Sequence, residues 1–160
     1  MRTFILLSAI PGSGKSTWAK EYQKTHPNTF IVSSDEIRLE LFGKPNDFRD
    51  EARVWATYLD TINKYAKEDN VTVIGDATNL ENRFRKMYFE KTPLFDHHIL
   101  VLFKTPYEIC KKQNEMRSID RIVPLDAMER LKNEYEEPSK EVLDLYDEYI
   151  EISSYHVKTI

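Results

Sequence analysis

A chain of 160 residues is the size of one domain and long enough to bury a core without disulfide or metal staples. Hydrophobic residues at 41% and charged residues at 31% sit near the globular average, which excludes a disordered or low-complexity chain. The net charge of −4 argues against coating nucleic acid through a broad basic face, but leaves room for a local basic pocket that grips one strand end. The lone cysteine, Cys110, leaves no intrachain disulfide and fits a reducing compartment. No signal-peptide pattern leads the chain, and no apolar run approaches the roughly 20 residues that span a bilayer, so a cytoplasmic protein without a membrane role is expected.

Phe4-Ile5-Leu6-Leu7 is a short apolar run before a glycine-rich turn and reads as a buried strand. From Lys15 to about Thr25 the pattern is helical, with Pro27-Asn28 as the stop, and Thr29 to Val32 forms a second strand. Ser33-Ser34-Asp35 leads into a helical pattern from Glu36 to Leu41 that ends at Gly43 and Pro45. Ala52, Trp55, Leu59, Ile62 and Ala66 recur at helical spacing and predict the longest helix, about Asp50 to Lys67.

Val71 to Ile74 is a third strand ending at Gly75-Asp76, followed by a helix over about Glu81 to Glu90 and a fourth strand from Ile99 to Phe103. A helix after Pro106 runs to about Met116, and another starts near Pro124. Val142, Leu145, Tyr146 and Tyr149 form the apolar face of a last acidic helix, and Tyr155 to Ile160 is the candidate fifth strand. Strands alternating with helical crossovers predict one α/β domain over 1–160, with a parallel sheet of four to five strands covered on both faces. Ligands in such sheets bind beyond the carboxyl ends of the strands. The functional candidates are therefore Pro11 to Thr17, Ser33 to Arg38 and Asp76 to Asn79.

The run Pro11-Gly12-Ser13-Gly14-Lys15-Ser16-Thr17 has the parts of a phosphate-binding loop: glycines that let backbone N–H groups face an anion, then a helix whose positive end points at it. Lys15 reaches the β- and γ-phosphates of a nucleotide in such a loop, and the Ser16 hydroxyl holds Mg²⁺. Ala9 stands where the strict pattern has glycine, the smallest exchange available. Asp76 is followed by Ala77, not by a water-activating glutamate, and Asn63-Lys64 is followed by Tyr65-Ala66, so the guanine-reading N-K-x-D motif is missing. ATP is the default nucleotide.

A kinase needs a base at the acceptor hydroxyl, positive charge around the transferring phosphoryl group and a means of excluding water. Asp35, just after the second strand, is the candidate base; Arg38, one helical turn on, is the candidate clamp for an acceptor phosphate. Helix capping by Ser34 or Asp35, and a solvated helix arginine, are the plain alternatives. Arg117 and Arg121 lie in a polar segment between helices that reads as a lid over about 117–123, closing on the phosphates, with a simple surface loop as the alternative. Asp76 is a candidate for orienting Arg38 or a metal-bound water, and Thr78 and Asn79 for lining the acceptor site, with turn-making as the alternative. Arg83, Arg85 and Lys86 form a basic cluster that either guides a strand or is a solvated helix face. His26, His97, His98 and His156 lack metal-ligand spacing and read as surface residues.

With these residues in view, the chain resembles the 5′-kinase domain of phage-type polynucleotide kinases, within the small P-loop kinases. Pro11 to Ala19 is similar to that family's phosphate loop, Ser34-Asp35-Glu36-Ile37-Arg38 to its Asp-x-x-Arg element, Gly75 to Leu80 to its Asp-Thr-Asn segment with Ala77 as a departure, and Arg117 to Pro124 to its lid. The resemblance implies a P-loop kinase fold with a small lid. ATP would bind through Gly12, Ser13, Gly14, Lys15, Ser16, Thr17, Arg117 and Arg121, and Mg²⁺ through Ser16. Asp35 would be the general base, Arg38 would hold the acceptor phosphate, and RNA or DNA 5′-hydroxyl ends would be the partners. No Asp-x-Asp-Gly-Thr phosphatase signature follows, so a stand-alone kinase working with a separate phosphatase or ligase is expected. The alternatives are a kinase for a small metabolite, nucleoside or modified base, and a nucleotide-binding module without phosphotransfer.

Overall fold

The computed structural model describes residues 1–153. Five strands, β1 (Thr3–Ser8), β2 (Thr29–Ser33), β3 (Thr72–Asp76), β4 (His97–Phe103) and β5 (Glu148–Ile152), form one sheet in the order β2-β3-β1-β4-β5. Every pairing is parallel. The crossovers carry α1 (Lys15–Thr25), α2 (Ser34–Phe42), α3 (Glu51–Tyr65), α4 (Asn82–Glu90), α5 (Tyr107–Glu115), α6 (Leu125–Glu134) and α7 (Lys140–Leu145). Among the described residues, no helix is long and apolar enough to cross a membrane.

The alternation of β1 divides the core. Phe4 and Leu6 pack with Val54, Tyr58 and Ile62 of α3 and Tyr88 of α4, while Ile5 and Leu7 pack on the opposite face with Trp18, Ala19 and Tyr22 of α1. A strand covered on both faces must be apolar at every position, which is why Phe4 to Leu7 is a continuous run. Because β1 lies centrally, the loop leaving its carboxyl end sits between those leaving β3 and β4, and order reverses there.

Three expectations are corrected. The acidic helix near the carboxyl end stops at Leu145, and the strand beginning at Glu148 holds Tyr149, which is not on a helical face. The alternating Glu148-Tyr149-Ile150-Glu151-Ile152 fits an edge strand, and it pairs with β4 from Ile99 to Phe103. The expected strand at Tyr155 to Ile160 lies outside the described residues. His98 is buried, its ring among Phe4, Phe89, Phe95 and Tyr146 and its Nε2 2.8 Å from Thr92 Oγ1. Arg85 is 0% exposed and is neither a solvated helix residue nor a strand guide. Its guanidinium donates to Ser8 Oγ, Asn82 Oδ1 and the carbonyls of Asn79 and Glu136, so it ties β1, the loop after β3 and the segment after α6 together. Alternation along β4 and the inward side of α4 decide both positions, and composition does not report them.

Candidate active site

The loop from Ile10 to Gly14 closes through backbone conformations that glycine alone adopts freely. Gly12 has φ 82° and Gly14, which caps α1, has φ 94°. A Cβ on Gly12 would lie 2.2 Å from the carbonyl oxygen of Cys110. Gln113 Nε2 donates to the Gly12 carbonyl at 2.6 Å, and Thr105 Oγ1 to the Ser13 carbonyl at 3.1 Å. The loop carbonyls are thus turned outward onto α5 and the end of β4. Ala9 is buried in the α1-side core and its N–H donates to the Thr78 carbonyl at 2.9 Å, so its methyl is accommodated where the strict pattern has glycine.

Lys15 and Ser16 begin α1 and line a cavity of about 560 Å³. Burial holds the Lys15 ammonium below its usual pKa; Arg117 adds to this, while Asp76 and Asp35 oppose it. Ser16 Oγ donates to Asp76 Oδ2 at 2.8 Å. A hydroxyl and a carboxylate side by side next to a glycine cradle are the hard oxygen donors that Mg²⁺ uses together with nucleotide phosphates. The residues present therefore fit both a nucleotide and its metal.

The cap of α2 is Ser33, which accepts from the Glu36 N–H at 3.4 Å. Asp35 lies inside the first turn and is not spent on capping. One of its oxygens accepts from Arg38 Nη1 at 3.0 Å, and the other lies 3.6 Å from Arg117 Nη2. Arg38 is almost fully buried, and Glu51 at the start of α3 takes its Nε at 3.0 Å and Nη2 at 2.6 Å. The Arg38 guanidinium also lies 4.9 Å from the Phe48 ring centroid and 5.6 Å from that of Trp55.

The lid forms a short 3₁₀ turn over Ile119–Arg121, between α5 and α6. Arg117 and Arg121 both face the cavity, and Arg121 Nη2 donates to Glu36 Oε1 at 2.7 Å. Asn114 anchors the far end of the lid, since its side-chain amide both donates to and accepts from the backbone of Val123, at 2.8 and 3.0 Å.

Lys15, Ser16, Asp35, Arg38, Asp76, Thr78, Arg117 and Arg121 therefore share one cavity. Gly12, Ser13, Gly14 and Thr17 build the loop and its helix beside it. Asn79 is placed apart: buried with φ 44°, it donates to the Leu7 carbonyl at 2.9 Å and supports the loop from below. Glu51, Phe48, Trp55 and Asn114 were not among the sequence candidates. Glu51 reads there only as an acidic residue in a helix first turn, and its guanidinium partner is thirteen positions away.

A five-stranded parallel sheet with a glycine cradle opening a helix after its central strand defines a nucleotide-binding fold of the P-loop kinase kind. Residues 5–138 match the AAA domain family AAA_33, and the chain belongs to it. It is 29% identical over 148 residues to the 2′,3′-cyclic-nucleotide 3′-phosphodiesterase of Rattus norvegicus, covering 91% of this chain and 33% of the relative. The chain thus spans about a third of that relative's length. Among solved structures, a chain of the Pnkp1/Rnl/Hen1 RNA repair complex superimposes with a TM-score of 0.74 at 24% identity, covering 91% of this chain and 46% of that one. A fungal RNA kinase gives a TM-score of 0.68 at 15% identity over 99% of this chain and 78% of that one. The likeness to both solved structures is one of fold.

Proposed function

We propose that the chain is an ATP-dependent kinase that transfers the γ-phosphate to a 5′-hydroxyl end of RNA or DNA. The observation that carries this reading is the position of Asp35: not spent on capping α2, lining the cavity with Lys15 and Ser16, and flanked by Arg38 and Arg117. Lys15 would hold the β- and γ-phosphates at the loop. Ser16 and Asp76 would hold Mg²⁺, whose chemistry there would be to supply positive charge next to the phosphates. Asp35 takes the proton from the acceptor hydroxyl as that oxygen bonds to the γ-phosphorus, and ADP leaves. Arg117 and Arg121, which line the cavity, would on closure of the lid set positive charge against the equatorial oxygens. Ala77 after Asp76 leaves no glutamate there to activate water, which favours an alcohol acceptor over hydrolysis.

The RNA repair complex and the RNA kinase that share this fold, and the relative named for cyclic nucleotides, support a nucleic-acid acceptor. A separate phosphatase or ligase would then prepare or use the same ends. Phosphate transfer from ATP to 5′-hydroxyl RNA and DNA oligonucleotides tests the reading and ranks the two acceptors.

One observation favours a second reading. The Arg38 fork is engaged by Glu51 and Asp35, so this corner of the cavity is less cationic than a site gripping an acceptor phosphate requires. A small metabolite, nucleoside or modified base with an uncharged alcohol fits that arrangement. It predicts that Arg38→Ala, measured below the Tm to which loss of the Glu51 pair lowers it, raises KM less for an uncharged acceptor than for one carrying a phosphate.

A further inference from the structure

The loop between α2 and α3 places a large apolar ring in solvent at the mouth of the cavity. Phe48 is 63% exposed, yet it lines the same cavity as Asp35. Its position is fixed from several sides. Gly43, with φ 86°, ends α2 and turns the chain. Asp47 accepts from the backbone N–H of Arg49 at 3.1 Å and from Arg49 Nε at 3.0 Å, which closes a small ring around Phe48. The Arg49 guanidinium lies 5.0 Å from the centroid of Phe42, so the turn is pinned to α2. Beneath Phe48 lies the Arg38 guanidinium, itself held by Glu51 and backed by Trp55.

An exposed aromatic ring with a cation against one face, opening into a cavity, is a stacking surface for a second flat ring. Holding the platform in place beforehand removes the ordering cost that a mobile loop would impose on binding. Arg38 donates through Nε, Nη1 and Nη2 to Glu51 and Asp35, and its guanidinium lies against the Phe48 ring as a charged group. Pro45, Asn46 and Trp55 line the cavity beside Phe48, while the charged side chains nearby, Arg38, Glu51 and Asp35, are bonded to one another, so apolar faces are what this corner offers a flat ligand.

We infer that Phe48, supported by Arg38 and Trp55, is the platform on which the nucleobase of the acceptor's terminal nucleotide stacks, so that recognition of the acceptor rests on its base plane. This rests on the kinase reading above and names the acceptor chemistry at that same site. Every base has a π-face, so the platform accepts all four and discriminates against acceptors without one.

The test compares two 5′-hydroxyl oligonucleotides, identical except that one carries a terminal nucleobase and the other an abasic terminal sugar. In the wild-type protein the base-bearing end is preferred in kcat/KM by roughly 5- to 150-fold, the range that base–aromatic stacking supplies, and the difference lies in KM. Phe48→Ala brings the ratio toward one, Phe48→Leu does the same although it keeps an apolar side chain, and Phe48→Trp retains the preference. A wild-type protein that uses both ends equally, or a preference that survives Phe48→Ala, overturns the platform while leaving the kinase reading standing. Transfer to neither oligonucleotide overturns both.

Discussion

Arg38 meets Glu51 through two parallel contacts, Nε to Oε2 at 3.0 Å and Nη2 to Oε1 at 2.6 Å, and this pair fixes the start of α3 against α2 at the edge of the cavity. The guanidinium is almost fully buried while Glu51 is about one-third open, so removing the carboxylate strands a charge that water reaches poorly. Glu51→Ala is expected to cost about 1–3 kcal/mol, read as a fall of several degrees in Tm. Glu51→Gln keeps one acceptor and loses less. Equal Tm values for wild type and Glu51→Ala would show that the pair holds nothing in place.

Gly12 and Gly43 both have positive φ, but only one of them is crowded. At Gly43 a Cβ meets nothing within 4 Å, so Gly43→Ala carries only the backbone strain of about 1 kcal/mol. At Gly12 the added carbon falls 2.2 Å from the Cys110 carbonyl oxygen and 3.0 Å from the Asn114 nitrogen, and the loop must shift off α5. Gly12→Ala is expected to lower Tm by clearly more than Gly43→Ala and to weaken nucleotide binding, which Gly43→Ala leaves intact. Thermal melts with and without ATP check both statements.

Ser16 and Asp76, 2.8 Å apart, are proposed above to hold the metal. Ser16→Ala should lower Mg²⁺-dependent transfer by about 10–100-fold, the range for losing a group that fixes a metal, and raise the Mg²⁺ concentration needed for half-maximal rate. An unchanged Mg²⁺ titration in the variant would remove Ser16 from that role.

His98 makes stability depend on pH in a definite direction. Burial is the largest influence and lowers its pKa from 6.5; His97 adds to this, while the contact with Thr92 and the charge of Asp147 oppose it. The unfolded chain therefore takes up a proton at this side chain at higher pH than the folded protein does. Its contribution to stability is present above pH 6.5 and is lost as pH falls through the depressed folded pKa. The denaturant midpoint should drop on acidification below about pH 6.5, and His98→Gln should flatten that drop. An identical slope in the variant would place the acid sensitivity elsewhere.

The sheet and the site were legible to different degrees. Continuous apolar runs mark β1 to β4, because strands covered on both faces have no polar side. β5 is an edge strand with exposed glutamates, so its period-two pattern competes with a helical one in a stretch that also contains Val142, Leu145 and Tyr146. The loop and Asp35 are visible because phosphate chemistry ties them to strand ends, and Arg117 and Arg121 because two arginines stand in a short polar segment between two helices. Glu51, Phe48 and Asn114 act through contacts between segments distant in sequence, and Arg85 is buried by the packing of α4. No spacing rule reports either.

The most direct test of the account is phosphate transfer from ATP to 5′-hydroxyl RNA and DNA oligonucleotides, with wild type and Asp35→Asn side by side and ATP binding measured on both. The account predicts Mg²⁺-dependent transfer by the wild type and a loss of about 10²- to 10⁴-fold in Asp35→Asn, the contribution of a positioned general base, with ATP bound as before. Comparable transfer by Asp35→Asn would contradict the assignment of the base. No transfer by a wild-type protein that binds ATP would contradict the nucleic-acid acceptor.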